Sequence, residues 1–262
     1  NRLVVDFGRR QVNCAVHGPY FESIVHVPTR CETHYSPCTT CLRLAQELKR
    51  ELKAQVEARS QRRALEARLR DAELPLRFAG RGLSAFCVEG PDQRAVFDIA
   101  EKFVETFPKY RNSGRSLVFA GSPGTGKTLL AAMIVHELCC RGFWSRYTTC
   151  HGLISAVRNT WGAAGEGRQW DVLDSLASPS LLVIDEIGVQ AGTDSEKAIL
   201  FDIIDRRYSE KRPTIFVTNL DVAGLHDFFG DRTWDRLTEI VRWVAFSWES
   251  QRPKARAIEF AD

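Results

Sequence analysis

Apolar and polar positions follow three different regimes along this chain. Over residues 1–41, short β-like runs such as LVV and SIVHV are broken by Pro, Thr, Cys and His. From Leu42 the pattern changes. Neither Gly nor Pro intervenes before Pro75, strong helix formers dominate, and Leu44, Leu48, Leu52 and Val56 recur at every fourth position. That spacing predicts one long helix with a narrow apolar stripe, which needs a partner surface. Residues 75–91 hold two prolines and three glycines and read as a boundary. An amphipathic helix follows, with Val96, Ile99, Ala100, Phe103 and Phe107 on one side.

Beyond it, strand-like runs (SLVFA, WSRYTT, SLLVID, PTIFVTN) alternate with helical ones (KTLLAAMIVHELCCR, HGLISAVRNTW, DSEKAILFDIIDRRYSEK). Alternation of this kind predicts an α/β fold with a parallel sheet covered by helices on both faces. The expected organisation is a small module over residues 1–41, a helical arm over 42–74 and an α/β domain over 75–262.

Composition narrows the function classes. With 44% apolar and 26% charged residues the chain buries a real core, and a net charge of +3 excludes a polycation. Nucleic-acid contact then has to come from local basic patches. The longest apolar runs are too short and too charged to span a bilayer, and no secretory signal is visible, so a cytoplasmic protein without a membrane partner is expected. Of eight cysteines, Cys14, Cys31, Cys38 and Cys41 cluster with histidines, which fits a metal site in a reducing compartment better than a disulfide framework.

Cys14-x-x-His17 and Cys38-x-x-Cys41 are two two-residue-spaced pairs, separated by about twenty residues of β-like sequence. Two knuckles of this spacing can each present two ligands to one tetrahedral Zn²⁺, as in a zinc ribbon. Cys31-x-x-His34 is a third pair of legitimate spacing. The set Cys14, His17, Cys38 and Cys41 is preferred because a ribbon uses distant knuckles, with Cys31 and His34 in reserve.

The strongest pattern is GSPGTGKT: Gly121, Ser122, Pro123, Gly124, Thr125, Gly126, Lys127 and Thr128, followed by Leu129. A strand precedes it and a helix follows, the context that a phosphate-binding loop requires. Its glycines let backbone N–H groups curl around phosphates, Lys127 neutralises their charge, and Thr128 is a Mg²⁺ ligand. The apolar run SLLVID then ends in Asp185, the expected outer contact to Mg²⁺, and Glu186 beside it is placed to activate a water, which suggests hydrolysis by a general base. Asn219, at the end of PTIFVTN, can orient that water. Arg232 and Arg236 stand one helical turn apart, so both can reach the γ-phosphate held by a neighbouring copy. The short stretch after the last strand leaves no room for a helical lid, a reason to expect assembly.

Together GSPGTGKT, LLVIDEIGVQ, DRRYSEKRPT with VTNL, and GDRTWDRL with FSWESQR resemble the DnaC/IstB group of AAA+ ATPases, most closely DnaC-type helicase loaders. The resemblance covers about residues 75–255 and implies a P-loop AAA+ core that self-associates on a DnaB-type replicative helicase hexamer. Ring opening and entry of single-stranded DNA would be controlled by ATP. By position, Arg236 matches the family's arginine finger with Arg232 beside it. Asn219 matches the sensor, and Arg252 the nucleotide-sensing arginine after the last strand. The module and helical arm over residues 1–74 are then the expected grip on the helicase. One departure lies at residues 191–195, a loop that faces DNA in the family. Here it has no aromatic residue, which leaves Thr193, Ser195, Lys197, Arg206, Arg207, Lys211 and Arg212 as expected phosphate contacts. Alternatives within reach of the same residues are an IstB-like ATPase assisting DNA transposition and a nucleotide-gated DNA-binding adaptor.

Overall fold

A computed structural model of the chain describes residues 5–27, 32–161, 166–189 and 193–252, in two compact units, Asn1–Ala64 and Leu65–Asp262. Cys31, one of the reserve zinc ligands, and residues 191–192 of the expected DNA-facing loop lie outside the described residues.

In the first unit, β1 (Val5–Cys14) and β2 (Gly18–Val27) form an antiparallel hairpin, and β3 (Glu32–Tyr35) pairs with β2. Cys14 pairs with Gly18 at the hairpin tip, where Gly18 takes φ 76°, a left-handed conformation that favours glycine. The first Cys/His pair is therefore a hairpin turn. The second sits differently, at the start of helix α1 (Thr39–Asp71), where the Cys38 carbonyl accepts the Leu42 N–H at 2.9 Å. This tight first turn starts the helix before the expected Leu42. At 33 residues, α1 is about 50 Å long. None of its residues is buried, and the stripe of Leu44, Leu48, Leu52 and Val56 is 47–66% exposed.

The last turns of α1 belong to the second unit. Leu69 and Leu74 lie against its core and Ala72 is fully buried. Two short 3₁₀ turns, Leu76–Phe78 and Leu83–Ala85, lead to α2 (Pro91–Tyr110), which starts on a proline and turns Val96, Ala100, Phe103 and Phe107 inward. The remaining elements are β4 (Ser116–Gly121), α3 (Lys127–Cys140), β5 (Ser145–Thr149), α4 (Cys150–Arg158), α5 (Glu166–Ala177) and β6 (Leu181–Ile187). They continue with α6 (Asp194–Ser209), β7 (Thr214–Thr218), α7 (Val222–Phe229), α8 (Asp231–Ile240) and β8 (Val241–Phe246).

The five strands are all parallel, in the order β5-β6-β7-β4-β8. Alternate residues of each strand feed two different cores. Leu117, Phe119, Val183, Val217 and Phe246 face α2 and α3, whereas Val118, Ala120, Ile184 and Phe216 face the α4–α8 side. Helix α3 is apolar nearly all round, because it is covered on every side, and Leu130 to Val135 are consecutively buried. The apolar pattern leaves α5 and α7 unsignalled. Helix α7 has only eight residues and depends on the Asp221 side chain capping Gly224 N–H at 2.8 Å. Among the described residues, no helix is long and apolar enough to cross a membrane.

Candidate nucleotide site and metal centre

The phosphate loop leaves β4 at Gly121 and enters α3 at Lys127, with Gly124 at φ 85° and Gly126 at φ 94°. A side chain at Gly124 is excluded twice, by this backbone and by packing, since a Cβ there would lie 2.0 Å from the Ser250 hydroxyl. The loop is held from outside by the segment after β8. The Trp248 indole N–H donates to the Thr125 carbonyl at 3.0 Å, and Gln251 N–H donates to the Gly124 carbonyl at 2.9 Å. Lys127 is 6% exposed and donates from Nζ to the carbonyls of Gly121 and Ser122, each at 2.7 Å. Burial lowers its pKa, while the negative charge of Asp185 opposes the shift.

Asp185 is buried at the end of β6, and both its oxygens are engaged. Oδ1 accepts Glu186 N–H at 2.7 Å and Oδ2 accepts the Tyr147 hydroxyl at 2.6 Å. Glu186 is exposed and takes φ 59°, a left-handed backbone unusual for a residue with a side chain. Such a conformation costs of order 1–3 kcal/mol and persists where surrounding structure enforces it. Here the pairing of β6 with β7 is irregular between Ile184 and Ile187, and the Thr218 hydroxyl donates to the Ile187 carbonyl at 2.9 Å. That bond ties the ends of β6 and β7 together, and Asn219 follows directly.

These elements surround a cleft of about 390 Å³, lined in part by Lys127, Thr128, Asp185, Glu186, Asn219 and Arg252. Its size lies within the range of roughly 300–1,000 Å³ usual for small-molecule sites. Pro123, Gly124, Gly126, Leu129 and Gln251 complete that side of the wall. A glycine cradle at a helix N-terminus, a buried ammonium and a buried carboxylate opposite suit a nucleotide polyphosphate with its Mg²⁺. Sequence reasoning missed Val217, Thr218 and Gln251, which lie beside expected positions, and also Arg77 and Phe78, whose guanidinium and ring stack at 4.4 Å. The last two come from a short turn with no phosphate-site pattern of its own, and only the fold brings them here.

Arg232 and Arg236 do not line the cleft of their own chain. On α8 both guanidinium groups lie over the Phe201 ring, at 4.3 and 4.8 Å, and Arg236 pairs with Asp205 at 2.5 Å. The expected DNA contacts are mostly engaged elsewhere. Arg207 is fully buried and donates to Thr214 Oγ1 at 2.9 Å and to the carbonyls of Ala177, Pro179 and Pro213. Burial pushes its pKa down to about 9, so it remains charged at neutral pH as an internal clasp rather than a surface contact. Arg212 pairs with Glu210, and Arg206 lies 3.8 Å over the Trp170 ring. Lys197 donates to the Asp227 carbonyl at 3.2 Å. The Thr193 hydroxyl caps α6 in a capping box with Glu196, and the Ser195 hydroxyl accepts from Arg158 at 2.9 Å.

In the first unit, one donor atom from each of Cys14, His17, Cys38 and Cys41 lies within 4.8 Å of all the others. Cys14 Sγ is 3.6 Å from Cys41 Sγ, and His17 Nδ1 is 3.3 Å from Cys41 Sγ. Tetrahedral zinc places sulfur ligands roughly 3.8 Å apart, so the donor set has the right chemistry and spacing for it. Hydrogen bonds from the Val16 backbone, and then from His17, pull the Cys14 thiol down to about 6. His34 is exposed on β3 and outside this group.

Residues 39–258 match the family model described as IstB-like ATP binding protein. The replicative helicase loader DnaC of Escherichia coli K12 is 37% identical over 174 residues, 66% of this chain and 69% of that protein. DnaC of Buchnera aphidicola subsp. Schizaphis graminum is 35% identical over 174 residues, 66% of this chain and 70% of that protein. Among solved structures, that of the DnaC helicase loader superposes with a TM-score of 0.59 at 22% identity, covering 65% of this chain and 99% of that one. At that identity the likeness establishes the AAA+ fold.

Proposed function

The chain belongs to the IstB-like ATP-binding family, and from that membership we propose that it is an ATP-dependent loader of a DnaB-type replicative helicase hexamer. The observation that carries the reading is its 37% identity to the replicative helicase loader DnaC. In this reading the cleft binds ATP, with the N–H groups of residues 121–128 and Lys127 on the phosphates. Mg²⁺, held through Thr128 and Asp185, supplies positive charge to the phosphate oxygens. Glu186 takes the proton of the attacking water, Asn219 orients that water, and Arg252 responds to the nucleotide from the strand-following segment. Arg236, with Arg232 beside it, serves the site of a neighbouring copy when the chains self-associate on the helicase. Zn²⁺ at Cys14, His17, Cys38 and Cys41 would tie the β1–β2 turn to the first turn of α1 and so hold together a unit too small to be stable on its core alone. This first unit and α1 grip the helicase, while the core unit holds ATP and meets single-stranded DNA, in the cytoplasm.

Co-purification with a replicative helicase tests the loader role, once with ATP and once with a non-hydrolysable analogue. The chain should be retained with the helicase and lost when residues 1–74 are deleted, with nucleotide binding kept. The IstB description of the matching family favours a second reading, an ATPase that assists transposition on duplex DNA. Retention on a transposase–duplex complex, with none on the helicase, would establish that reading instead.

A further inference from the structure

Tyr147 belongs to neither the phosphate loop nor the acidic strand end, and it is absent from the cleft wall. It sits in β5, an edge strand, in register with Val183 of β6, and is 6% exposed. From there its hydroxyl crosses to the neighbouring strand and donates to Asp185 Oδ2 at 2.6 Å. The other oxygen, Oδ1, is held by Glu186 N–H at 2.7 Å, so the carboxylate is fixed at both ends. Tyr147 is itself held from behind. On the outer edge of β5 its backbone N–H donates to the carbonyl of the fully buried Ala72 at 2.8 Å, and the adjacent Arg146 pairs with Glu73 at 2.6 Å. In this pair the phenol hydroxyl donates and the carboxylate oxygen accepts. Packing alone does not require that hydroxyl, because a phenylalanine ring fills the same space.

We propose that Tyr147 is a positioning residue for Mg²⁺ binding: its hydroxyl fixes the Asp185 carboxylate in the orientation that meets the metal. The inference rests on the reading of the cleft as a Mg–ATP site. Partners that orient a metal-side carboxylate in this way typically contribute about 10–100-fold to metal affinity. Nucleotide binding without metal draws on the phosphate loop and does not depend on them.

The test is Tyr147→Phe in the full chain, with binding of a fluorescent N-methylanthraniloyl ATP followed during Mg²⁺ titration and separately in EDTA. The Mg²⁺ midpoint should rise about tenfold or more, while affinity in EDTA should stay within about twofold. Asp185→Asn should raise the midpoint alone, and adding Tyr147→Phe to it should change nothing further, since the two act as one unit. An unchanged midpoint in Tyr147→Phe overturns the proposal. So does an equal loss of affinity in Mg²⁺ and EDTA, which marks a packing effect, or a further shift in the Asp185→Asn background. Wild-type chain that binds the analogue no better with Mg²⁺ than in EDTA removes the Mg–ATP reading itself. That outcome is distinct from a wild type that responds to Mg²⁺ and a variant that responds identically.

Discussion

The Trp248 indole donates its N–H to the carbonyl of Thr125, at 3.0 Å, and so ties the segment after the last strand to the phosphate loop. Its ring also lies 4.9 Å from that of Phe246, which fixes the indole before the loop is reached. Trp248→Phe keeps the aromatic contact and removes the donor. A neutral hydrogen bond contributes about 1 kcal/mol, so ATP affinity should fall about fivefold with little change in fold. Calorimetric titration with ATP checks this. The same indole gives a fluorescence signal, which should change on nucleotide binding in the wild type.

Variants of Glu186 and Lys127 should separate binding from hydrolysis. Glu186→Gln keeps size and hydrogen bonding but cannot accept a proton, so turnover should fall about 10²–10⁴-fold while ATP is still bound. Lys127→Ala should abolish binding outright, because it removes the ammonium from the phosphate cradle. Steady-state phosphate release together with equilibrium binding distinguishes the two. Helicase loading that survives in Glu186→Gln would identify nucleotide binding, rather than its hydrolysis, as the working step.

Arg236 faces Asp205 and Phe201 and not its own cleft, which predicts an effect that depends on assembly. In Arg236→Ala, nucleotide affinity of the isolated chain should be unchanged. Hydrolysis stimulated by helicase should drop by about 10³-fold or more, the scale of an arginine supplied in trans. Mixing the variant with a Glu186→Gln chain should restore part of the activity, since each supplies what the other lacks.

About one zinc per chain should be found by elemental analysis. Cys38→Ser should lose it, because Cys38 is one of the four clustered donors. Variants Cys31→Ser and His34→Ala should retain it. Chelation should unfold the first unit and leave ATP binding by Leu65–Asp262 intact.

The parts of the site that were legible in the sequence are those whose chemistry is local. Residues 121–128 and the Asp185–Glu186 pair each lie in one continuous run, where spacing alone specifies what the backbone does. The four clustered Cys and His residues were legible as pairs, although the sequence does not say that one pair sits at the start of a helix. What stayed hidden is assembled through space. Arg77, Phe78 and Tyr147 come from two separate segments and carry no motif, and Trp248, although within FSWESQR, shows nothing there of its bond to the phosphate loop. Arg207 reads as one more charge in DRRYSEK, and only the carbonyls waiting around it distinguish an internal clasp from a surface cation. Thr193 and Ser195 read as phosphate donors, and the sequence does not show that Thr193 also caps α6 or that the Ser195 hydroxyl accepts from Arg158 of α4.

The bare leucine stripe of α1 has a practical consequence for handling the protein. Leu44, Leu48, Leu52 and Val56 are exposed along several turns, and contiguous apolar surface of this kind is an aggregation liability. Purified alone, the chain should become sticky as its concentration rises, whatever nucleotide is present. Light-scattering masses would then report the stripe and not assembly driven by ATP. Leu48→Glu with Leu52→Glu should cure that behaviour, giving a well-behaved stock for the nucleotide measurements and, if α1 is the grip proposed above, a chain that no longer binds a helicase.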